Sequence, residues 1–291
     1  MKNKTADLSL ALVAIIWGTG FVASQMALDA NLAPFQIMTY RFLISSILMV
    51  VLFWKEFRKV NIATFKAGAL IGCFLFIAFA FQTIGLQYTT PSKNAFITAT
   101  NVVIVPFLYW ILAKKRPDKY SAIGAFLTII GISFLTLEGS FTIKSGDLLT
   151  LVCALGFAMH ITSIGYYAQK HNPIQLTIVQ MIAAFILSMI AQIFTRNSSP
   201  ITSKGIMSVM YLGVVSTTIA FLIQNVAQKY TSATKTAIIL STEAVFGTLA
   251  SVILLGEKLS LKMFIGCIII FLAIIITETK LSFIKRKPST G

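Results

Sequence analysis

The sequence has little charge, and most of the charge that it has is positive. Asp, Glu, Lys and Arg together make up 11% of the 291 residues, whereas a soluble domain carries about a quarter. Hydrophobic residues make up 57%. A chain of this composition has too few charged residues for a typical water-exposed surface. It therefore argues against an ordinary soluble enzyme or binding domain and indicates a membrane protein.

Cysteine and histidine are also scarce, and the common nucleotide-binding motifs are missing. Cys73, Cys153 and Cys267 each lie in an apolar run without a CxxC spacing or a nearby histidine. We therefore expect free buried thiols, and no metal, redox or other cofactor. Neither GxxxxGK[ST] nor GxGxxG occurs, so ATP hydrolysis by this chain is not expected.

Long apolar runs separated by short polar segments dominate the chain. A transmembrane helix needs about 20 apolar residues, and the runs predict ten spans. The predicted spans are 8–28, 35–54, 66–86, 94–112, 120–137, 147–167, 174–194, 205–225, 235–255 and 261–279. The first run is too long for a signal peptide and no A-x-A site follows it, so it is retained as span one. The expected fold class is all-α integral membrane.

Basic residues are distributed unevenly over the predicted loops. One side of the membrane receives most of them, including those at both ends of the chain, while the other side receives few. The positive-inside rule then places both termini in the cytoplasm. Because the net charge of +15 is spread over short loops rather than one face, a nucleic-acid partner is not expected.

Two stretches of the first half of the chain recur in the second half. Residues 77–82 (IAFAFQ) recur as 219–224 (IAFLIQ), and residues 88–95 (YTTPSKNA) recur as 230–237 (YTSATKTA). Apolar matches alone would mean little in this chain, but Gln, Tyr, Thr and Lys match in one register. Self-similarity at a fixed offset indicates duplicated architecture.

The duplication predicts two homologous halves, residues 1–139 and 140–291, with five spans each. Because five is odd, the second half must be inverted in the membrane relative to the first. Inverted repeats with a site near the bilayer midplane are typical of secondary transporters.

Several motifs occur together in the order typical of one family. They are Trp17-Gly18-x-x-Phe21, Arg41-Phe42-Leu43, the repeated Tyr-Thr stretches, EAVF at 243–246 and LGEKLS at 255–260. Together they resemble the EamA-type branch of the drug/metabolite transporter superfamily over essentially the whole chain. The resemblance implies an inner-membrane carrier, often an exporter of amino acids or other small metabolites. Its central cavity would be supplied by spans one, three, four, six, eight and nine.

The chain departs from the family's pattern at two positions. Lys115 stands where many relatives have an acidic residue matching Glu257, so a symmetric salt-bridge role for that acid is in doubt. Pro106 in span four is replaced by Thr248 in span nine, which predicts a different kink in the two spans.

The candidate substrate-binding residues are polar or aromatic side chains expected at the central cavity. They are Trp17, Gln82, Asn101, His160, Gln224 and Glu243. Glu243 lies roughly 12 Å into span nine at 1.5 Å per residue, and a carboxylate at membrane depth is a functional candidate by default. It could bind a proton or a cationic substrate group, or be a structural carboxyl hydrogen-bonded between helices.

The other candidates rest on the repeat or on depth in the membrane. Asn101 is the repeat partner of Glu243, and Gln82 is the partner of Gln224. Such pairs either line a cavity or form hydrogen bonds between helices. His160 lies in the middle of span six, where it could relay protons or simply pack.

Arg41 and several aromatic residues carry weaker expectations. Arg41 is expected to be structural, either snorkelling to the interface or pairing with a carboxylate. The aromatic residues of the first half are Trp17, Phe21, Tyr40, Phe79, Phe81 and Tyr88. Aromatic side chains usually pack helices or lie at the membrane interface, but several facing inward would suit an aromatic or amphipathic substrate.

The expected function is secondary transport of a small organic metabolite, an amino acid or related compound, most simply outward by alternating access. The alternative is an importer of a nucleobase, vitamin or sugar-derived compound with the same fold. A membrane enzyme would need interfacial clusters of Asp, His or Arg on longer loops, and a scaffold would not need polar repeat pairs. The protein is expected in a bacterial inner membrane, as a monomer or a homodimer. Protons or another ion are the candidate coupling partners.

Overall fold

The computed structural model describes residues 3–113, 119–136 and 144–279, and no strand occurs in these ranges. The elements are α1 (Asn3–Asp29), α2 (Pro34–Leu52), α3 (Trp54–Phe57), α4 (Ile62–Leu86), α5 (Pro91–Ala99), α6 (Asn101–Ala113), α7 (Lys119–Thr136), α8 (Ser145–Tyr167), α9 (Pro173–Thr195), α10 (Ser203–Tyr211), a π-helical segment (Leu212–Ile219), α11 (Ala220–Gln228), α12 (Ala233–Ser241), α13 (Glu243–Leu255) and α14 (Leu261–Thr279). The predicted all-helical fold class is confirmed.

Eight helical stretches of the described residues are long and apolar enough to cross a membrane. They correspond to predicted spans one to four and six to nine. The counterparts of spans five and ten contain shorter apolar segments, Ala122–Phe134 and Leu261–Ala273. The chain is therefore a multi-pass helical membrane protein, and the number of ten spans stays a prediction.

The repeated Tyr-Thr stretches form the starts of α5 and α12. The Thr90 hydroxyl accepts a hydrogen bond from the backbone N–H of Lys93 at 3.3 Å, and the Ser232 hydroxyl accepts one from Lys235 at 3.2 Å. Side-chain oxygens at this position satisfy N–H groups that have no partner within the helix. The same sequence pattern therefore starts one helix in each half.

The spans formed by α5–α6 and α12–α13 are both interrupted at a threonine. Thr100 and Thr242 have nearly equal backbone angles, φ −64° and ψ −11° against φ −63° and ψ −12°. Each hydroxyl donates to the carbonyl three residues earlier at 2.6 Å. Asn101 and Glu243 are the first residues of the helices that follow, so both lie at an interruption inside the bundle.

A π-helical segment interrupts a third span, between α10 and α11. The Thr218 hydroxyl donates to the Gly213 carbonyl at 2.7 Å, five residues earlier. Short π-helical stretches widen a helix locally and are frequent at functional sites. Here the widened turn carries Ser216 and Thr217, which bond to residues of α1 and α2.

The two halves of the chain pack against each other along most of their helices. α1 packs on α12 and α13, and α8 packs on α5 and α6. α2 packs on the π-helical segment, and α4 packs on α8 and α9. α7 lies against α14. The largest buried apolar clusters consequently contain residues of both halves.

The three cysteines are free thiols, as predicted. Cys153 and Cys267 are buried, but Cys73 is only partly buried. The expectation of three buried thiols is therefore wrong for Cys73. It lies on a face of α4 that borders an apolar surface pocket with Val179 and Ala183 of α9.

At one end of the bundle, Glu257 joins the end of α13 to the start of α5. Its Oε2 accepts hydrogen bonds from the Ser92 backbone N–H at 3.2 Å and from the Ser92 hydroxyl at 2.7 Å. The Ser251 hydroxyl donates to the same oxygen. A carboxylate at a helix start is favoured by the helix dipole. Lys115, the residue at the equivalent position of the first half, lies outside the described residues.

Replacing Glu257 by glutamine is expected to lower the free energy of unfolding by about 1–2 kcal/mol. The variant loses the charge that strengthens the bonds to Ser92 and the interaction with the start of α5. Thermal unfolding of the purified protein in detergent measures the change. Lys258→Gln, at the neighbouring exposed position, is the control, and equal midpoints for the two variants would contradict the assigned role of Glu257.

The opposite end of the bundle has a different contact between the halves. Asp7 of α1 and Lys235 of α12 form an ion pair of 2.7 Å between Oδ2 and Nζ. Lys235 lies near the start of the span that ends before Glu257. The two contacts therefore lie on opposite sides of the bundle.

Candidate functional site

A cavity lies deep in the bundle between the two halves of the chain. Its volume, measured as the space open to the centre of a water-sized sphere, is about 30 Å³. Its lining residues come from both halves and are Trp17, Gly20, Phe21, Ser24, Arg41, Phe79, Gln82, Asn101, Phe157, Ile161, Ser216, Gln224, Leu240 and Glu243. The six predicted spans one, three, four, six, eight and nine all contribute, and span two adds Arg41.

Five of the six candidate residues line this one cavity. They are Trp17, Gln82, Asn101, Gln224 and Glu243. In the sequence they are distributed over five predicted spans, and the packing of the two halves brings them together. Their role in substrate binding stays a prediction, but the structure gives them a common location.

Glu243 is a buried acid without a polar partner among the residues that the structure describes. Its exposed fraction is 6%. Within the described part of the chain, no hydrogen-bond donor or basic group is paired with its carboxyl group. A buried carboxyl group is costly unless it is paired, hydrogen-bonded or protonated. The cavity is therefore where Glu243 would find a proton, water or substrate group.

Arg41 lies in the same cavity and does not snorkel to an interface. Its exposed fraction is 2%, and its Nε donates to the Thr217 hydroxyl at 3.0 Å. The guanidinium carbon lies 4.1 Å from the centre of the Phe79 ring and 5.7 Å from that of Phe42. No carboxylate lies within 4.0 Å of it among the residues described. The expectation of snorkelling or carboxylate pairing is therefore wrong.

Arg41 stays inside the bundle because of how α2 packs. Arg41 faces the π-helical segment, whose Thr217 supplies a hydrogen-bond acceptor, and α4, whose Phe79 ring covers the charge. Cation–π contact and one hydrogen bond can hold a guanidinium away from water. The sequence signal for Arg41 was the same as for Glu243, a charged residue inside an apolar run.

Trp17 is fixed in the wall by a hydrogen bond to the other half. Its indole Nε1 donates to the Ser216 carbonyl at 2.9 Å, and its ring centre lies 4.8 Å from that of Phe221. Phe21, Phe79 and Phe157 are further aromatic lining residues. Tyr88, another of the aromatic residues considered, is instead 56% exposed. The inward-facing aromatic residues thus include three from the first half and Phe157 from the second.

The amide side chains of the cavity form some, but not all, of their possible hydrogen bonds with the described residues. Asn101 Nδ2 donates to the Thr98 carbonyl at 2.8 Å, and Gln224 Nε2 donates to Gln228 Oε1 at 3.0 Å. Asn101 Oδ1 and Gln224 Oε1 are buried and have no donor in the described ranges. Most buried polar atoms are hydrogen-bonded, so these two acceptors require water or a ligand.

His160 is the candidate that does not line the cavity. It is fully buried, with Nε2 at 3.1 Å from Gln180 Oε1, and its ring packs edge-on against Phe157 and Phe221. Phe157 and Ile161 of the same helix line the cavity, whereas the His160 ring is directed to Gln180 of α9. The structure therefore places it behind the lining, where it packs and bonds to Gln180.

Comparison with known proteins identifies this chain as similar to membrane transporters. The model of the EamA-like transporter family matches two successive stretches, residues 4–137 and 144–279. An uncharacterized transporter of Archaeoglobus fulgidus is 39% identical over 96% of this chain and 88% of its own length. The uncharacterized transporter YcxC of Bacillus subtilis is 23% identical over 99% of this chain and 97% of its own.

A solved crystal structure has the same fold. It superposes with a TM-score of 0.74 over 98% of this chain and 100% of that chain, at 16% sequence identity. The family matches together cover nearly all of the described residues. The chain is a membrane transporter and belongs to the EamA-like transporter family.

Proposed function

We propose that this protein is a secondary transporter that moves a small organic metabolite, an amino acid or related compound, out across the cytoplasmic membrane. The observation that carries the proposal is the cavity between the halves, which contains an acid and a cation that are not paired with each other. Buried charges at membrane depth are expensive and mark substrate or ion pathways.

Alternating access would arise from two inverted five-span halves, residues 1–139 and 140–291. Three observations support this architecture. The family model matches the chain twice in succession. The interruptions at Thr100 and Thr242 have the same geometry. The packing between the halves is also symmetric. α1 of the first half contacts α12 and α13 of the second, and α8, the counterpart of α1, contacts α5 and α6, the counterparts of α12 and α13. On this proposal α7 and α14 are the fifth and tenth spans.

The transport cycle would open and close the two ends of the cavity in turn. The Asp7–Lys235 pair joins the halves at one end, and Glu257 bonded to Ser92 joins them at the other. Separating one contact while the other persists would expose the cavity to one side only. Rocking of inverted repeats around a fixed central site is the usual form of this mechanism.

The distribution of basic residues supports an orientation with both termini in the cytoplasm. The Asp7–Lys235 end would then face the cytoplasm, and the Glu257 end would face outward. The membrane would be a bacterial inner membrane, and both a monomer and a homodimer are compatible with the proposal. Protons are the first candidate coupling ion because Glu243 can bind one in the cavity.

Counterflow in proteoliposomes tests the proposal. Purified protein is reconstituted with one unlabelled compound inside, and uptake of the labelled compound is followed for amino acids, nucleobases, vitamins and sugars. We expect exchange of a compound from the amino acid class, absent from protein-free liposomes. Exchange restricted to another class would favour the importer alternative, and no exchange with any class would contradict transport of a small metabolite.

A further inference from the structure

We propose that a groove on the outer surface of the bundle binds one anionic phospholipid. The groove is formed by α4, α6 and α8, apart from the central cavity, and is called the α8 groove below. The phosphate of the lipid lies beside Lys170, and an acyl chain lies along α8. The proposal goes beyond the proposed transport function and does not depend on it.

The α8 groove runs along α8 with the two other helices beside it. α4 and α6 both pack against α8, and they contribute Leu70, Phe74, Leu108 and Ile111 to the lining. The volume, measured as the space open to the centre of a water-sized sphere, is about 440 Å³, against about 30 Å³ for the central cavity. Leu70 and Ile111 are exposed, so the groove opens to the outside of the bundle. In a membrane, lipid surrounds the bundle there.

The α8 groove ends on the side of the bundle that contains the ion pair of Lys235. The Thr64 hydroxyl at the start of α4 lies 2.9 Å from Nδ1 of His171, which follows α8. The Gln169 side chain donates to the carbonyl of Lys229 at 3.0 Å, just before α12. The start of α4, the end of α8 and the start of α12 therefore lie together. In the proposed orientation this end of the bundle faces the cytoplasm.

Two exposed lysines lie at this end of the groove. Lys170 Nζ donates to the Tyr166 hydroxyl at 2.6 Å and lies 3.9 Å from the centre of the Tyr166 ring, which lines the groove. Lys66 lies one turn before Leu70 on the same face of α4. Among the residues described, no carboxylate lies within 4.0 Å of either lysine. Because anionic lipids of the cytoplasmic leaflet attract basic residues near the surface, an anionic headgroup fits this end.

A buried hydroxyl group lies one turn deeper in the α8 groove. Thr162 lines the groove and is 1% exposed, and its Oγ1 has no hydrogen-bond partner in the described ranges. Most buried polar atoms are hydrogen-bonded. Thr162 lies four residues before Tyr166, which is about 6 Å along α8 at 1.5 Å per residue. The oxygen atoms that join glycerol to the chains of a phospholipid follow the phosphate directly, so they can accept from this hydroxyl.

The length of the groove fits the acyl chain of one leaflet. Its lining on α8 extends from Met159 to Tyr167, about 12 Å at 1.5 Å per residue, and half of a hydrocarbon core of about 30 Å is about 15 Å. Along this length a cation, a hydroxyl and an apolar surface follow one another. A phospholipid presents its phosphate, its glycerol oxygens and its chains in the same order. The Lys170 charge and the Thr162 hydroxyl therefore favour a lipid over the apolar face of a second protein chain.

Native mass spectrometry of the purified protein counts the lipids that it retains. The protein in detergent is equilibrated with phosphatidylglycerol, or with phosphatidylcholine of the same chains at the same concentration. We expect one phosphatidylglycerol per chain, retained at least about fivefold more than phosphatidylcholine, because only the first lipid has a net negative charge. Equal retention of the two lipids would overturn the proposal.

Substitutions assign the headgroup and the glycerol oxygens to different residues. Lys170→Gln is expected to lower retention of phosphatidylglycerol about fivefold and to spare phosphatidylcholine. Thr162→Val has nearly the same shape and is expected to lower retention of both lipids about two- to tenfold. Lys55→Gln, an exposed position of α3, which packs on α2 and α9, is the control. Equal losses for Lys170→Gln and Lys55→Gln would show diffuse attraction to the surface and overturn the site.

A bulky side chain in the groove tests its position without changing a charge. Leu70→Trp is expected to remove the retained lipid, whereas Leu12→Trp, at an exposed position of α1, is expected to keep it. Both positions are exposed, so both variants should fold. Retention of the lipid by Leu70→Trp would place it elsewhere and overturn the proposal. A second copy of the chain, retained in place of a lipid and lost in Leu70→Trp, would overturn it in favour of a contact between copies.

Discussion

Cells that express Glu243→Gln are expected to lose net export of the substrate while the variant reaches the membrane at the wild-type level. Glutamine has nearly the same shape as glutamate, so the packing at the start of α13 should persist. It can neither carry a negative charge nor release a proton. Because Glu243 is buried and no basic residue described here is paired with it, we expect its carboxyl group to interact with the substrate or the coupling ion.

Removing one partner of a buried charged hydrogen bond costs about 2–5 kcal/mol, which corresponds to a loss of about 30-fold or more in export. Efflux of an amino acid panel, measured at matched membrane abundance with and without a protonophore, tests this expectation. Asp29→Asn, an exposed acid at the end of α1, is the control and should export normally. Wild-type export by Glu243→Gln would show that Glu243 is a structural carboxyl group.

Counterflow separates the two ways in which Glu243 could act. If it only couples the cycle to protons, Glu243→Gln should still exchange labelled for unlabelled substrate although it no longer accumulates it. If it binds the ammonium group of the substrate, exchange should fall together with export.

The sequence predicts the helices well because membrane helices leave a strong local signal. Apolar runs, caps such as Thr90 and Ser232, and the repeated motifs are all visible without a structure. The first helix residue of α4 is Ile62 rather than residue 66 because Asn61 caps it by accepting from the Thr64 N–H at 2.9 Å. This cap lies in a polar stretch, where hydropathy gives no boundary.

The site is only partly predictable because the facing direction of a residue depends on tertiary packing. Glu243 and Asn101 could be found from depth and repeat position, but His160 has equal depth and turns away from the cavity. Arg41 lies only two turns into the second predicted span, a position that predicts a structural role near the interface. The Phe79 ring and the π-helical segment that hold it inside belong to other spans, and hydropathy does not reveal their contacts.

Replacing Gly18 by alanine or valine is expected to have the largest effect on stability among the substitutions considered. Gly18 lies on α1 where it crosses α13, and a Cβ there would be 2.6 Å from the Phe246 Cβ and 2.8 Å from the Gly247 backbone N. Contacts this short to backbone cannot be relieved by a side-chain rotation, so the two helices must separate. Small residues such as glycine let two membrane helices approach this closely.

Two opposing contributions decide the size of the effect. An alanine side chain favours a helix over glycine by about 1 kcal/mol, whereas overpacking a tight contact costs about 1–3 kcal/mol and at times more. At Gly18 the overlap with backbone should dominate, so Gly18→Ala is expected to lower the free energy of unfolding by about 2 kcal/mol. Valine should prevent assembly of a stable protein.

Gly247→Ala on the facing helix is the matched comparison. Its Cβ would lie 3.2 Å from the Ala95 Cβ and 3.3 Å from both the Gly18 carbonyl oxygen and a Phe21 ring carbon. These distances are longer than those at Gly18 and small shifts can relieve them, so the two contributions should nearly cancel. Met26→Val, at a position of α1 that is 46% exposed, controls for a change in α1 away from the crossing. Thermal unfolding in detergent should rank Gly18→Ala well below the other two variants. Equal midpoints for Gly18→Ala and Gly247→Ala would mean that α1 and α13 do not cross so closely, and the same crossing sets the distance between Trp17 on α1 and Glu243 on α13.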